Sequence, residues 1–368
     1  MALSIPVERR KIPTPFQLDL SDLDYIVEGA QRVFEALNGQ HIFITGGTGF
    51  LGGWLVESLS YACHSMGLTT QITVLVQPGC DTFHFGELPS VRLVEGDINS
   101  LTWSDLNDRL RTLGVTADFD SVIHGAVLVN DGDKPASPLA IWDSVVSGSR
   151  NVLDVARSSG CERVLLLSSG AVYGSGTTMT HKLPEDCLTG PEFLNPDMAY
   201  AEGKRAMESL AAIYLREYGL QSVLARCFSF IGPRLPIDSH LAAAQFVRDA
   251  MAGGPVRVRG DGSPVRGYLY AADMATWLWS LLVKAVPGVA YNVGSERECS
   301  ILELATLIGQ SAEVPVEIVG TPSRAGIGDF YVPDTSLVRK DLDLVEGVSL
   351  EEAVERTLAW FGRHRKTL

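Results

Sequence analysis

The 368-residue chain has no apolar run near the ~20 residues needed to cross a bilayer. Met1 to Leu18 holds no apolar stretch of signal-peptide length, so neither export nor a membrane partner is expected. Basic residues are outnumbered: 30 Lys and Arg stand against 44 Asp and Glu, for a net charge of −14. That balance argues against nucleic acid or an anionic membrane as the main partner. A small anionic ligand remains allowed, because a few local cations and helix N-termini can hold phosphate. Cys63, Cys80, Cys161, Cys187, Cys227 and Cys299 lie far apart, with no Cys-x-x-Cys pair and no His/Cys cluster at metal spacing. No metal site is expected, and the thiols read as the reduced cysteines of a cytoplasmic protein. Internal repeats and low-complexity tracts are also missing. What is present is ordinary, 46% hydrophobic and 20% charged, enough for one large domain or two coupled ones around a sizeable core.

Residues 1–38 read as an irregular arm, with Pro6, Pro13 and Pro15, followed by one helix. Ser21-Asp22-Leu23-Asp24 resembles a capping box, and Leu23, Ile26, Val27, Ala30, Val33, Phe34 and Leu37 follow at helical spacing. From His41 the pattern alternates. Strands are expected at 41–45, 71–77, 92–96, 121–124, 163–168, 221–226 and 290–293, with helices at 52–65, 139–157 and 200–218. Nearly all-apolar strands such as Val164-Leu165-Leu166-Leu167 suit a parallel sheet buried on both faces. The expected fold class is α/β, a doubly wound parallel sheet of Rossmann type with a smaller C-terminal substrate lobe. Residues 39–231 would form the dinucleotide-binding domain, with 266–294 returning to it and a helix near 268–282. Residues 232–265 and 295–368 would mainly form the lobe.

Two constellations carry chemistry. Ile42-Phe43-Ile44-Thr45 reads as a strand, and Gly46-Gly47-Thr48-Gly49-Phe50-Leu51-Gly52 turns it into a helix starting near Phe50. Glycines permit the tight turn and close backbone approach to a pyrophosphate, and the helix N-terminus adds partial positive charge. Gly46, Gly49, Phe50 and Leu51 are the candidate contacts. The amphipathic Leu51, Leu55, Val56 and Leu59 supply the helical context the motif requires. The second strand ends Leu75-Val76-Gln77-Pro78, with neither the acid that binds a ribose 2′-hydroxyl nor a base for a 2′-phosphate. Asp81 stands a few residues on. With no Arg or Lys to meet that phosphate, NAD is expected rather than NADP, which stays open.

Tyr200 and Lys204 stand four apart, on one face of a helix. A free phenol has a pKa of about 10, and a nearby ammonium lowers it, which makes a usable base. Lys204 can also hydrogen-bond the nicotinamide ribose. The run from Arg163 through Ser168-Ser169-Gly170-Ala171-Val172-Tyr173-Gly174 is a buried strand ending in hydroxyls, at the edge where such sheets bind ligands. Ser169 could hold the substrate oxygen that gains or loses the proton. Ser169, Tyr200 and Lys204 are the catalytic candidates.

The spacing Gly46, Gly49, Gly52 resembles that of extended short-chain dehydrogenases/reductases. Together with the Ser/Tyr/Lys set, residues 40 to 362 resemble the NAD-dependent epimerase/dehydratase family, its nucleotide-sugar branch. The resemblance implies a nucleotide-diphosphate sugar as substrate and further cofactor contacts at Gln77, at Asp97 and Ile98 after the third strand, at Gly125 and Ala126 in Val122-Ile123-His124-Gly125-Ala126, and at Phe228. Arg226-Cys227-Phe228-Ser229-Phe230-Ile231-Gly232-Pro233 resembles the family's Arg-x-x-Asn-x-x-Gly-Pro stretch, with Ser229 in place of Asn. Ser229, Arg266 in Gly260 to Tyr268, and Asn292 in Tyr291-Asn292-Val293-Gly294 are the implied substrate contacts. Members often pair through the Tyr-x-x-x-Lys helix. Leu210, Ala211, Ile213, Tyr214 and Leu215 would give a homodimer its apolar surface.

The family's 4,6-dehydratases carry Asp-Glu directly after the catalytic hydroxyl residue, and its decarboxylases usually keep the Glu. Here those positions are Gly170 and Ala171. The expected reaction is therefore epimerisation through a 4-keto intermediate. A 4-ketosugar reductase using the same residues is the alternative. Behind it stand a dehydratase or decarboxylase, and a non-catalytic cofactor sensor.

Overall fold

Seven parallel strands carry the molecule: β1 (His41–Thr45), β2 (Gln71–Val76), β3 (Val91–Glu95), β4 (Ser121–His124), β5 (Arg163–Ser169), β6 (Gln221–Cys227) and β7 (Ala290–Val293). They lie in the order β3-β2-β1-β4-β5-β6-β7. The chain winds outward one way through β2 and β3, then returns past β1 to β4 and onward. That reversal between β1 and β4 opens a crevice at the strand tips, where ligands bind in sheets of this kind. The computed structural model describes residues 16–79, 83–128, 130–131, 134–174, 181–320 and 330–364. Most of the expected N-terminal arm, and Asp81, lie outside the described residues.

Alternation along β1 explains the two cores. Ile42 and Ile44 face one side, with Val74, Leu55 and the tryptophans of α6 (Ala271–Lys284), Trp277 and Trp279. Phe43 faces the other, with Val122, Leu166, Val152 and Met207. These last two come from α4 (Pro138–Ser158) and α5 (Ala199–Tyr218). Each large apolar side chain buried this way contributes roughly 1.5–3 kcal/mol. Covering both faces is what allows the strands to be apolar throughout.

The expected strands and helices match the observed ones to within two residues, with two exceptions. The N-terminal segment is two helices, α1 (Leu20–Gly29) and α2 (Gln31–Ala36), parted at Ala30. Helix α1 begins before Ser21, without a side-chain cap, and Asp24 instead accepts the Tyr61 hydroxyl at 2.5 Å. Both helices pack on α6: Tyr25 donates to Asp273 at 2.5 Å, while Asp22 joins Tyr270 and Arg356. The second exception is Tyr268–Tyr270, expected at the start of a helix but observed as a strand paired with Ser229–Ile231. A Tyr-Leu-Tyr triplet, rich in aromatics and buried throughout, suits a pleated strand better than a first helical turn.

Outside the large sheet, Val256–Val258 pairs with Val316–Ile318, and Val265–Arg266 lies between Cys299–Ser300 and Phe330–Tyr331. Among the described residues no helix is long and apolar enough to cross a membrane. No group of His, Cys, Asp and Glu among them is arranged to hold a metal.

Candidate active site

A cleft of about 920 Å³ opens at the carboxyl ends of the strands. Its volume lies in the range of small-molecule and cofactor sites. One end is the glycine turn. Gly46 adopts φ +74°, and a Cβ there would meet the Gly125 carbonyl carbon at 2.6 Å. The turn is therefore pressed against the β4 tip. Thr45 and His124 lock that contact: the Thr45 hydroxyl bonds His124 Nδ1 at 2.8 Å and accepts the Ala126 N–H at 3.3 Å. His124 Nε2 meets Ser149 at 3.0 Å, and burial pushes this imidazole down to about 3, so it stays neutral.

Helix α3 (Phe50–Met66) starts from Gly49 with no side-chain cap. Its first-turn N–H groups face the cleft unfilled by any side chain, which is the chemistry that takes a pyrophosphate. Gln77, Asp97 and Ile98 line the same end of the cleft. Asp97 also caps its own turn, accepting the Asn99 N–H at 2.9 Å.

At the floor, β5 delivers Ser168 and Ser169, opposite Arg226 and Cys227 on β6. The two hydroxyls part. Both border the cleft, but Ser168 donates to Glu208 at 2.6 Å, whereas Ser169 accepts the Ala171 N–H at 3.1 Å. Helix α5 brings Tyr200 and Lys204 beside it. The Lys204 ammonium donates to the Leu167 carbonyl at 2.7 Å and lies 5.7 Å from the Tyr200 ring centre. Burial lowers Lys204 to about 8. Tyr200 departs from the sequence expectation in direction: burial raises its pKa, against the opposing influence of the Ser169 hydroxyl. Cys227, on the same floor, is pushed up to about 12 by burial and is a closed thiol.

Gly46, Gly49, Phe50, Leu51, Gln77, Asp97, Ile98, Gly125, Ala126, Ser169, Tyr200, Lys204, Phe228, Ser229 and Arg266 all border this one cleft. Asn292 does not. Its amide donates to the Leu183 and Asp334 carbonyls and accepts the Tyr173 hydroxyl, at 2.8–2.9 Å, in a fully buried position. Those bonds use both amide hydrogens in a side chain with no exposed surface, so Asn292 pins loops together and does not border the cleft. Sequence reasoning missed Glu208, whose carboxylate grips Arg226 beneath Ser168, and Tyr331, whose ring lies tilted against Phe228 with centres 4.7 Å apart. Glu208 stands four residues after Lys204, on the same helix face, a signal that spacing could have exposed. Tyr331 has no such signal.

The arrangement joins a glycine turn to a hydroxyl, a phenol and a buried amine, and the whole chain is similar to known proteins. UDP-glucuronic acid decarboxylase 1 of Arabidopsis thaliana is 27% identical over 321 residues, covering 87% of this chain and 69% of that protein. Among solved structures, the epimerase Mth375 of Methanothermobacter thermautotrophicus superposes with a TM-score of 0.78 at 25% identity, over 93% of this chain and 97% of its own. DesIV, a dTDP-glucose 4,6-dehydratase from Streptomyces venezuelae solved with NAD bound, shares the fold with a TM-score of 0.74 at 24% identity, over 89% and 98%. The family model described as NAD dependent epimerase/dehydratase matches residues 42–294, from β1 through β7, and the chain belongs to that family.

Proposed function

We propose that the protein is an NAD-dependent nucleotide-sugar epimerase that works through a 4-keto intermediate. The observation that carries this reading is the chemistry of the cleft floor. Ser169, Tyr200 and Lys204 meet there, while Gly170 and Ala171 bring no carboxylate. Among the described residues bordering the cleft, Asp97 is the one acid, and it caps a turn on the side of Gln77 and Ile98. Water elimination across a sugar ring needs a nearby acid and base, and this floor brings no carboxylate to that work.

The uncapped start of α3, Gln77, Asp97 and Lys204 would hold the dinucleotide. Lys204 and Arg266 are the cations among the described cleft residues, and neither follows β2, which favours NAD over NADP. When bound, NAD accepts and returns the hydride. Tyr200 takes the proton from the sugar hydroxyl as its carbon is oxidised, and gives it back when the ketone is reduced on the other face. Ser169 donates a hydrogen bond to that oxygen. Arg266 meets the diphosphate, with Ser229 beside it.

A decarboxylating reading has the names of several relatives in its favour, UDP-glucuronic acid decarboxylases of Arabidopsis thaliana, Danio rerio and Xenopus tropicalis among them. A 4-keto sugar acid is a β-keto acid and can lose its carboxylate without a protein base. One assay separates the readings. The purified protein is denatured to release bound NAD(H), and UDP-, dTDP-, GDP- and CDP-sugars, UDP-glucuronic acid included, are followed by NMR. An epimer formed without added cofactor supports the proposal. A pentose product replaces it with the second reading, and net consumption of NADH replaces it with a ketosugar reductase.

The proposed assembly is a homodimer through α4 and α5. Leu139, Trp142 and Ile213 stay exposed on those helices, whereas Ala211 and Tyr214 are buried inside the subunit. Sedimentation velocity of the protein, with Ile213→Glu as the disrupting variant, tests it.

A further inference from the structure

Beyond β6 the chain turns once before it forms the cleft wall at 235–243. The Leu235 N–H closes on the Gly232 carbonyl at 3.2 Å, Pro233 takes the second position and Arg234 the third, with φ +67°. That layout fits a type II turn, whose third residue is ordinarily glycine or asparagine. The turn itself gains nothing from an arginine, so the reason for Arg234 lies in its side chain. The guanidinium reaches across to α3, the helix that follows β1, and donates to Glu57 at 2.7 Å, with the Phe85 ring centre 4.8 Å away. It lies so close on α3 that a Cβ at Gly53 would meet Arg234 Nε at 2.8 Å. Glu57 is fully buried, and the Arg234 side chain is 11% exposed. The other Glu57 oxygen accepts the Gln17 and Leu18 N–H groups at 2.9 and 3.0 Å. The Gln17 carbonyl in turn accepts the Trp360 indole N–H at 2.9 Å.

We propose that Glu57 and Arg234 are positioning residues that hold the substrate wall at 235–243 in place against the cofactor helix α3, with Gln17–Leu18 as the anchor of Glu57. Neither Glu57 nor Arg234 borders the cleft, whereas Leu235, Pro236, His240 and Leu241 do. A buried carboxylate is stable only when donors meet it, and here the amino-terminal segment and the guanidinium meet it from opposite oxygens. Arg234 therefore cannot swing away without stranding a charge. The Trp54 indole N–H also bonds the Pro233 carbonyl at 2.9 Å, so the start of the turn stays on α3 by itself. What the guanidinium adds is the aim of the chain after residue 234. That chain leaves β6, on the other half of the sheet from β2 and β3, which Gln77 and Asp97 follow. Moving the wall therefore shifts a bound sugar nucleotide relative to Ser169 and Tyr200 and leaves the dinucleotide end of the cleft intact.

The kinetic effect rests on the proposed function, so the first readout needs no substrate. Glu57→Gln/Arg234→Asn removes the ion pair, leaves no lone buried charge and gives the turn a residue suited to positive φ. Amide hydrogen exchange read by mass spectrometry is expected to speed up at least about tenfold in 235–243 and to keep wild-type rates in peptides from β1 and β5. Tyr25→Phe loosens the amino-terminal helix at Asp273 without touching either residue, and is expected to leave 235–243 unchanged. With the nucleotide sugar that turns over, the double variant is expected to raise KM about tenfold while NAD affinity by titration calorimetry stays within about threefold. Arg234→Lys keeps a cation on Glu57, so it folds whatever the double variant does, and is expected to show smaller shifts of exchange and KM in the same direction. Wild-type exchange in 235–243, an equal response to Tyr25→Phe, or NAD weakened as much as the sugar overturns the inference. A wild-type protein inactive on all nucleotide sugars would remove the functional reading instead, while the exchange rates still decide the role of the pair.

Discussion

Glu208 grips Arg226 at two points, 3.0 Å to Nε and 2.7 Å to Nη2, directly under the strand tip that carries the serines. Both side chains are largely buried, 13% and 15% exposed. Burial alone would depress the guanidinium, but the Glu208 contacts outweigh it and hold Arg226 charged. Ser168 donates to the same carboxylate at 2.6 Å, and Arg226 reaches the Tyr173 hydroxyl at 2.8 Å. The pair thus ties α5, β5 and β6 together beneath the reaction floor. Glu208→Gln leaves a buried cation without its counter-charge, which costs about 3 kcal/mol or more. Urea unfolding is expected to show that loss; a change under about 0.5 kcal/mol would mean the clasp is dispensable.

Tyr200 is the group on which proton movement depends. Its replacement by Phe keeps the ring beside Lys204 and removes the acid–base function. Turnover is expected to fall by about 10²–10⁴-fold, while NAD(H) still copurifies with the protein. If activity survives within a few-fold, the phenol is a spectator and the base must be sought elsewhere on the cleft floor.

The sheet was legible because β1, β2, β4 and β5 are short apolar runs that only a doubly covered parallel sheet can bury, and turn glycines bound them. The glycine turn and the Tyr200–Lys204 pair were legible because their geometry is local: a φ-positive glycine and a four-residue helical offset need no knowledge of the rest of the fold. Asn292 misled because its position in a strand says nothing of the three partners that loops bring to it. Tyr331 was invisible for the same reason, since its place is set by register with Arg266 across sixty-odd residues of chain. Lys204 lies beside the Tyr200 ring as the spacing requires, whereas its bond to the Leu167 carbonyl depends on how α5 lies on β5, which no local pattern gives.

His124 predicts an acid dependence of stability. Burial lowers its pKa from 6.5 to about 3 in the folded protein, and the neutral ring bridges Thr45 and Ser149. Below pH 6.5 the unfolded chain takes up a proton that the native state refuses, so the unfolded state binds more protons and stability rises with pH across roughly 3 to 6.5. From this one residue the loss at pH 5 relative to pH 8 is about 2 kcal/mol. His124→Asn is expected to lower stability at neutral pH and to flatten the slope between pH 4.5 and 6.5, as read by urea unfolding at a series of pH values. An unchanged slope would assign the acid sensitivity to other groups.

Gly46 and Gly67 make a matched pair for testing the cradle. Both have positive φ, +74° and +71°, so alanine at either residue bears the same left-handed strain of about 1–2 kcal/mol. Around Gly67 nothing lies within 4 Å of a new Cβ, whereas at Gly46 it would sit 2.6 Å from the Gly125 carbonyl carbon and 2.7 Å from the Ala126 nitrogen. Backbone cannot rotate away as a side chain can, so Gly46→Ala must push β1 and β4 apart or tilt the start of α3. Either movement re-aims the first-turn N–H groups that would hold the pyrophosphate. Gly67→Ala is expected to lose about 1 kcal/mol of stability and bind NAD like the wild type. Gly46→Ala is expected to lose at least about 2 kcal/mol and to weaken NAD at least tenfold by titration calorimetry. Equal behaviour of the two variants would detach the cofactor from the glycine turn.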